Sequence, residues 1–341
     1  MSRTLDFIVI GAQKAGTTSL FENLRQHPEI HVPPGKELPY FSHEGARRRG
    51  WEEYLRAAFF GADPSLRWGT VTPQYLVGGL WEEPNPTASG EHHDERTVPL
   101  RIREHAPHVR LVAILRDPAD RARAHHRMAA LNSLDPRPFA TAVEELLRPE
   151  ALDAARRSPS ETTGYVTWGE YGRLLRGYFD VFGAEQLLVV FTQEYEQDPA
   201  AVLRRIHEFI GVRADFLPDN LGVRYRVGGS RRRLRWLGSD SPIHPWTLQR
   251  RLAASPRARR AWHALPERTR RGADRVLDVI TYRLDLWNRR GAAAAAPPSG
   301  EDAALERLRV HYAADGEVLA GLIGRSPPWH APVPTADRAG G

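Results

Sequence analysis

The residues best suited to chemistry lie in a glycine-bounded loop near the start of the chain. Gly11 and Gly16 enclose Lys14, and a hydroxyl-bearing run, TTS at 17–19, follows at once. Apolar residues then recur with helical spacing, which predicts that the loop ends at a helix N-terminus. Such a turn directs backbone N–H groups and the positive end of a helix dipole at one place. The loop therefore predicts an anion-binding site.

This loop differs from a P-loop in the position of its lysine. A P-loop reads G-x-x-x-x-G-K-[ST], with lysine after the second glycine. Here Thr17 occupies that place, and the lysine lies inside the loop at position 14. The only other lysine is Lys36, and every other basic residue of the chain is an arginine. An ammonium is a compact point charge and a guanidinium a rigid fork, so a lysine kept in a tight loop supports a specific role there.

A second charged position follows another dense apolar run. Residues 109–115 predict a buried strand, and Arg116-Asp117-Pro118 comes next, followed by a predicted helix. P-loop kinases place an aspartate at a strand end to hold Mg²⁺. Arginine at the end of this strand suits an anion rather than a metal ion. The adjacent pair His92-His93 does not make a metal site either, because neighbouring residues seldom point at one ion.

These loops depend on strands and helices that alternate along the chain. Strands are predicted at 5–10, 109–115 and 186–191, with helices between them and after them. This order indicates βαβ units, and hence a P-loop-like three-layer α/β domain with a central parallel sheet flanked by helices. A last amphipathic helix is predicted at 301–324, with apolar positions that include Leu305, Leu308 and Val310.

The domain organisation predicted from these patterns is a single domain over residues 1–330. Within it, 239–300 is an Arg-rich helical insertion and linker, and 301–330 is a C-terminal helix that packs back. Residues 331–341 are expected to form a disordered tail.

Composition narrows the function classes. The chain has 341 residues, a net charge of +6 and no cysteine, which excludes disulfides and Cys-ligated metal centres. The basic balance suits an anionic ligand, but also nucleic acid or a membrane surface. No signal sequence and no apolar run of about 18 residues is evident, which predicts a cytoplasmic protein.

These stretches together resemble sulfotransferases that use 3′-phosphoadenosine 5′-phosphosulfate (PAPS), most closely their bacterial and heparan-sulfate branch. The likeness rests on the loop at 11–19, on KELPYF at 36–41, on RDPADRA at 116–122 and on the order of the later elements. It covers nearly the whole chain. It implies a transferase that needs no metal and acts on a small-molecule, glycan or secondary-metabolite acceptor. Oligomeric state is open, and no nucleic-acid or membrane partner is expected.

The resemblance also implies roles for particular residues. Glu37 is the candidate general base, since a carboxylate within reach can take the proton of an acceptor hydroxyl. Lys14 would stabilise the leaving nucleotide, and His93 is the second candidate base. The donor nucleotide would be bound by the loop, by the Arg116 strand end, by position 124 and by a later basic loop, that is, by Gln13, Lys14, Ala15, Gly16, Thr17, Thr18, Ser19, Arg116, Ala124, Arg231 and Arg233.

Two departures from the family pattern keep other functions open. Ala124 stands where the family has a serine that contacts the 3′-phosphate. The resemblance therefore implies weaker binding of the 3′-phosphate, unless Arg123, His125 or a later arginine compensates. Val71 stands where several relatives carry a lysine. The alternatives are a non-catalytic relative that binds PAPS or its product PAP (3′-phosphoadenosine 5′-phosphate), a P-loop-type kinase, and a basic nucleic-acid-binding protein that uses the arginines at 231–233.

Overall fold

The computed structural model describes residues 4–33, 36–78, 94–131, 134–223 and 300–330, together with Ala264. Contacts divide the chain into Met1–Arg226 with Pro298–Gly341 as one unit and Val227–Pro297 as the other. The second unit, apart from Ala264, and the tail at 331–341 lie outside the described residues, so what the sequence predicts for 239–300 and for the tail stays a prediction. The fold below is that of the first unit.

Five parallel strands form the central sheet. Their order is β2-β3-β1-β4-β5, so the first strand of the chain lies in the middle. The strands are β1 (Phe7–Gly11), β2 (Ile30–His31), β3 (Arg67–Val71), β4 (Arg110–Leu115) and β5 (Leu187–Phe191). Val9 pairs with Val71 on one side and with Val112 on the other. The apolar runs at β1, β4 and β5 are almost wholly buried, as expected for a parallel sheet covered on both faces.

Helices connect the strands in chain order. They are α1 (Thr17–Leu24), α2 (Glu44–Arg47), α3 (Trp51–Ala58), α4 (Thr97–His105), α5 (Pro118–Leu131), α6 (Phe139–Leu146), α7 (Pro149–Arg157), α8 (Gly164–Thr167), α9 (Tyr171–Phe182), α10 (Thr192–Gln197), α11 (Pro199–Ile210) and α12 (Glu301–Ile323). Within the described ranges, no helix is both long and apolar enough to cross a bilayer.

The ends of α11 show how local sequence sets a helix. The Asp198 carboxylate accepts a hydrogen bond of 2.9 Å from the Ala201 N–H, and Pro199 occupies the first helical position. Gly211 ends the helix with φ of 79°, a left-handed conformation that favours glycine. An aspartate, a proline and a terminal glycine therefore delimit this helix as capping rules predict.

Within the first unit, the last helix, α12, packs against α9. The Asp315 carboxylate of α12 accepts hydrogen bonds of 2.8 Å from the N–H groups of Gly172 and Arg173, at the N-terminus of α9. Leu308 and Tyr312 of the same helix are buried. A carboxylate at this position compensates the positive end of the α9 dipole and satisfies two of its first N–H groups.

The predicted fold class is confirmed, because a parallel sheet flanked by helices is what the structure shows. One predicted core position is wrong. Val310 is 71% exposed, whereas Leu308 is fully buried. At 3.6 residues per turn, two positions along a helix is more than half a turn, so Val310 faces away from Leu308. The short edge strand β2 and the short helix α8 were not predicted.

Stability should fall as pH drops from about 6.5 towards 4, because buried histidines stay neutral in the folded chain. Burial, with the nearby His27, lowers the pKa of His207 to about 4. Below pH 6.5 the unfolded chain takes up a proton at this position that the folded chain does not, so acid favours unfolding. We expect His207→Gln to make the fall in denaturant midpoint between pH 7 and pH 4.5 shallower.

The control is His108→Gln, at an exposed position. Denaturant titrations at four pH values measure both variants. An unchanged slope in His207→Gln would show that His207 does not contribute to acid sensitivity.

Candidate active site

The candidate residues converge at the carboxyl edge of the sheet. The loop that contains Lys14 follows β1, and Arg116 follows β4, the neighbouring strand. The chain passes from β1 to β2 and β3 on one side of the sheet, and to β4 and β5 on the other. Open α/β sheets bind ligands at the point where the strand order reverses in this way. The crevice between the ends of β1 and β4 is therefore the expected ligand site.

Hydrogen bonds tie the loop to the end of β4. The Ala12 N–H donates to the Ile114 carbonyl oxygen at 2.7 Å. The hydroxyl of Thr192, the first residue of α10, donates to the Ala15 carbonyl oxygen at 2.8 Å and lies 3.0 Å from the carbonyl oxygen of Leu115. All of these groups are buried or nearly so. The loop after β1 and the strand end that carries Arg116 are thus parts of one hydrogen-bonded unit.

The loop conformation leaves a helix N-terminus open to a ligand. Gly16 precedes α1 with φ of 94° and has no side chain that could cap the helix. The first N–H groups of a helix have no partner within it, and together they attract an anion. Lys14 has φ of 69°, in the left-handed region that lysine rarely adopts. The loop therefore holds its lysine in a strained conformation beside the start of α1.

The Lys36 side chain connects Glu37 to the residue that begins α1. The Lys36 side chain is only 6% exposed, and its ammonium donates to the Glu37 carboxylate at 3.2 Å and to the Thr17 hydroxyl at 3.3 Å. The Gln74 amide donates to the other Glu37 oxygen at 2.8 Å. The Glu37 side chain is 43% exposed. The structure thus brings the proposed base next to the first residue of α1, with its carboxylate oriented by two donors.

A second carboxylate, Glu161, adjoins the same loop, and the sequence did not indicate it. Its Oε1 accepts a hydrogen bond of 3.1 Å from the Gln13 side-chain amide. Its Oε2 lies 2.7 Å from Nε2 of His125, on α5. Glu161 comes from the loop between α7 and α8, which follows no strand and carries no motif. Only the packing of that loop against the sheet edge reveals it.

The charges of these groups affect one another. Burial raises the pKa of Glu161, but the hydrogen bonds from His125 and Gln13 act against it, and the pKa of Glu161 lies below its usual value. The negative charge of Glu37 acts in the opposite direction on the pKa of Glu161. Burial lowers the pKa of His125 to about 4, and the charges of Arg121 and Lys14 act in the same direction. His125 is therefore neutral at pH 7.

At the end of β4, the Arg116 side chain is about one-third exposed, and its guanidinium lies 3.9 Å from the Asp120 carboxylate. Arg123 donates to Asp120 at 2.6 Å and lies 3.4 Å from Glu301, so both of its contacts are to carboxylates within the fold. Arg123 and His125 were the two nearby groups that could replace the serine hydroxyl missing at Ala124. In the structure, Arg123 contacts Asp120 and Glu301, and His125 contacts Glu161.

The other positions that the sequence analysis singled out divide into two groups. Val71 is completely buried in β3, so this position supplies no cation to the site. His93, Arg231 and Arg233 lie outside the described residues, and their roles stay predictions. Across the parts of the chain that the structure describes, no group of three His, Asp or Glu side chains could hold a metal ion.

Comparison with known proteins assigns the family. The model of the family described as "Sulfotransferase domain" matches residues 4–221, which contain the whole sheet and every described candidate site residue. The chain therefore belongs to the sulfotransferase domain family. This match favours a sulfotransferase over the P-loop-type kinase that the sequence left open.

Curated relatives agree with this assignment over part of their length. The chain is 30% identical over 222 residues to the human bifunctional heparan sulfate N-deacetylase/N-sulfotransferase 3, and the match covers 60% of this chain and 22% of that protein. It is 27% identical over 207 residues to mouse heparan sulfate glucosamine 3-O-sulfotransferase 3B1, covering 60% and 46%. The matched part thus spans less than half the length of either relative.

A solved structure extends the likeness of fold over almost the whole chain. The crystal structure of a sulfotransferase from Alicyclobacillus acidocaldarius matches with a TM-score of 0.58 and 21% sequence identity, over 96% of this chain and 98% of that one. At this identity, the match supports the fold.

The hydrogen bond from Thr192 to the Ala15 carbonyl oxygen should contribute measurably to the free energy of unfolding. Thr192→Val keeps the shape of the side chain but leaves the buried Ala15 carbonyl without its donor. We expect a loss of about 1–2 kcal/mol in the free energy of unfolding, the usual cost of an unsatisfied buried acceptor. Urea titration measures it, with Thr141→Val, at an exposed position of α6, as the control. Equal stability of the two variants would show that the Thr192 tie contributes nothing.

Proposed function

We propose that this protein transfers a sulfuryl group from PAPS to a hydroxyl group of an acceptor. The observation that supports this most directly is the placement of Glu37 beside the Lys14 loop, through the contact of Lys36 with Thr17. A proton acceptor and an anion-binding loop then adjoin the same space. Membership of the sulfotransferase domain family supports the reaction class.

The residues at the crevice fit a nucleotide that carries phosphate groups at two positions. The loop offers the N–H groups at the start of α1, the Lys14 ammonium and the hydroxyls of Thr17 and Thr18, all donors suited to an anion. Arg116 lies at the end of the neighbouring strand and offers a planar fork that can bind a second phosphate bidentately. When bound, PAPS supplies the sulfuryl group and a bisphosphorylated adenosine as the leaving group.

In the proposed mechanism, Glu37 accepts the proton of the acceptor hydroxyl as its oxygen attacks sulfur. Lys36 and Gln74 orient the carboxylate, and its remaining lone pairs can accept the proton. Lys14 stabilises the negative charge that develops on the leaving phosphate oxygen, as a preorganised cation would. Thr17 and Thr18 hold the phosphosulfate end in place, and Arg116 holds the 3′-phosphate.

The acceptor is proposed only as a class. The matched relatives are named for heparan sulfate, which makes a glycan hydroxyl one class, and a small molecule or a secondary metabolite is another. The cytoplasmic location, the bacterial origin and the role in secondary metabolism stay predictions from sequence. A non-catalytic relative that binds PAPS or PAP is the second candidate, because Ala124 and Val71 lack the polar groups that the family pattern has at these positions.

Incubation with PAPS and a panel of hydroxyl acceptors, read by the mass gain of one sulfuryl group, tests the proposal. We expect Glu37→Gln to lower kcat by about 10²- to 10⁴-fold, the usual contribution of a general base. We expect Lys14→Asn to lower kcat by about 10²- to 10³-fold, because it removes a cation at a developing charge. Asparagine tolerates the left-handed backbone at this position, so the loop should persist.

The control for these variants is Glu208→Gln, an exposed position on α11. Calorimetric titration with PAP shows whether each variant still binds the nucleotide. Binding of PAP without turnover of any acceptor in the unmodified protein would favour the non-catalytic relative, and wild-type turnover in Glu37→Gln would remove Glu37 as the base.

Recognition of the 3′-phosphate gives a separate prediction for Arg116. We expect Arg116→Gln to weaken binding of PAP by about 10- to 100-fold, the cost of losing charged hydrogen bonds, and to leave binding of adenosine 5′-monophosphate nearly unchanged. Calorimetric titration with both nucleotides measures the ratio of their Kd values. A ratio equal to that of the unmodified protein would place 3′-phosphate recognition elsewhere.

A further inference from the structure

A continuous chain of hydrogen bonds runs from the buried face of α5 to the Lys14 loop. The Arg121 guanidinium is completely buried and lies 3.3 Å from Nδ1 of His125. Nε2 of His125 lies 2.7 Å from one oxygen of Glu161, and the Gln13 amide donates to the other oxygen at 3.1 Å. This series of hydrogen bonds ends at Gln13, the residue immediately before Lys14.

The direction of each hydrogen bond follows from the chemistry of its groups. Arg121 can only donate, so Nδ1 of the neutral His125 ring accepts and Nε2 carries the proton. Nε2 then donates to Glu161, whose carboxylate can only accept. Arg121 also donates to the Tyr165 carbonyl oxygen, which fixes its position. The buried cation thereby sets the tautomer of His125 and supports the negative charge of Glu161.

The strained residue of the loop lies between two such anchors. Lys14 has φ of 69°, a backbone conformation that costs energy for a residue other than glycine. On one side of it, the Gln13 side chain is bound to Glu161. On the other side, the Ala15 carbonyl accepts from Thr192. Strained conformations persist where surrounding contacts determine them, and here those contacts come from the loop after α7 and from the start of α10.

We propose that Glu161 and His125 form a positioning pair that holds the loop, through Gln13, in the conformation that presents Lys14 to the transferring group. This inference rests on the proposed function of Lys14. Glu161 acts here as a positioning residue, because it joins His125 to Gln13, the residue immediately before Lys14. His125 is completely buried and reaches the site only through Glu161.

A double-mutant cycle on Gln13 and Glu161 tests the coupling. We expect Gln13→Ala and Glu161→Ala each to lower kcat by about 10- to 100-fold, the loss that a small misplacement of a catalytic group can cause. If Glu161 acts through Gln13, the double variant loses no more than the larger single loss. Losses that multiply, or single variants with wild-type kcat, would overturn the proposal.

A second pair of variants tests His125 as the donor. His125→Gln can still donate to Glu161 through its amide, whereas His125→Ala cannot. We expect the glutamine variant to keep most of the kcat that the alanine variant loses, at similar melting temperatures. Glu208→Ala, at an exposed position of α11, is the charge-matched control for Glu161→Ala and should keep wild-type kcat. Equal losses in both His125 variants would overturn the donor role.

Amide hydrogen exchange of residues 11–19 tests the same inference without turnover. We expect faster exchange of this loop in Gln13→Ala and in Glu161→Ala, to a similar extent, and no change in Glu208→Ala. Unchanged exchange in Glu161→Ala would overturn the positioning pair, whatever the protein does with PAPS. If exchange rises as expected but the unmodified protein transfers nothing, the proposed function fails while the anchoring of the loop stands.

Discussion

Parallel pairing of β1 with β4 is the constraint on which the candidate site depends. Because the two strands run side by side in the same direction, the loop after Gly11 and the residue after Leu115 emerge at the same edge. Thr192 then joins both segments from the end of β5, the next strand along. An antiparallel pairing would separate Lys14 from Arg116 by the length of a strand.

Positively and negatively charged side chains lie close together at this edge of the sheet. The loop and the end of β4 supply cations and N–H donors, whereas Glu37 and Glu161 supply carboxylates next to them. Each carboxylate has its own donors: Lys36 and Gln74 for Glu37, His125 and Gln13 for Glu161. Such pairing offsets the cost of placing charged groups in a partly buried crevice.

Much of the fold could be predicted because it depends on local sequence patterns. Dense apolar runs identified β1, β4 and β5, and the glycine, proline and aspartate signals at helix ends placed α1 and α11 within a residue or two. Local patterns failed where packing decides. The edge strand β2 has only two residues, too few to form a pattern, and Val310 is apolar yet points to solvent.

The candidate site shows the same division. Residue types at short spacing were enough to identify the glycine-bounded loop with its lysine, the Lys36-Glu37 pair and the arginine at a strand end. The contacts of Glu161 with the loop and with His125 depend instead on tertiary packing. Gln13 and Glu161 are 148 positions apart, and no local rule relates residues that meet solely because two loops pack at one edge of a sheet.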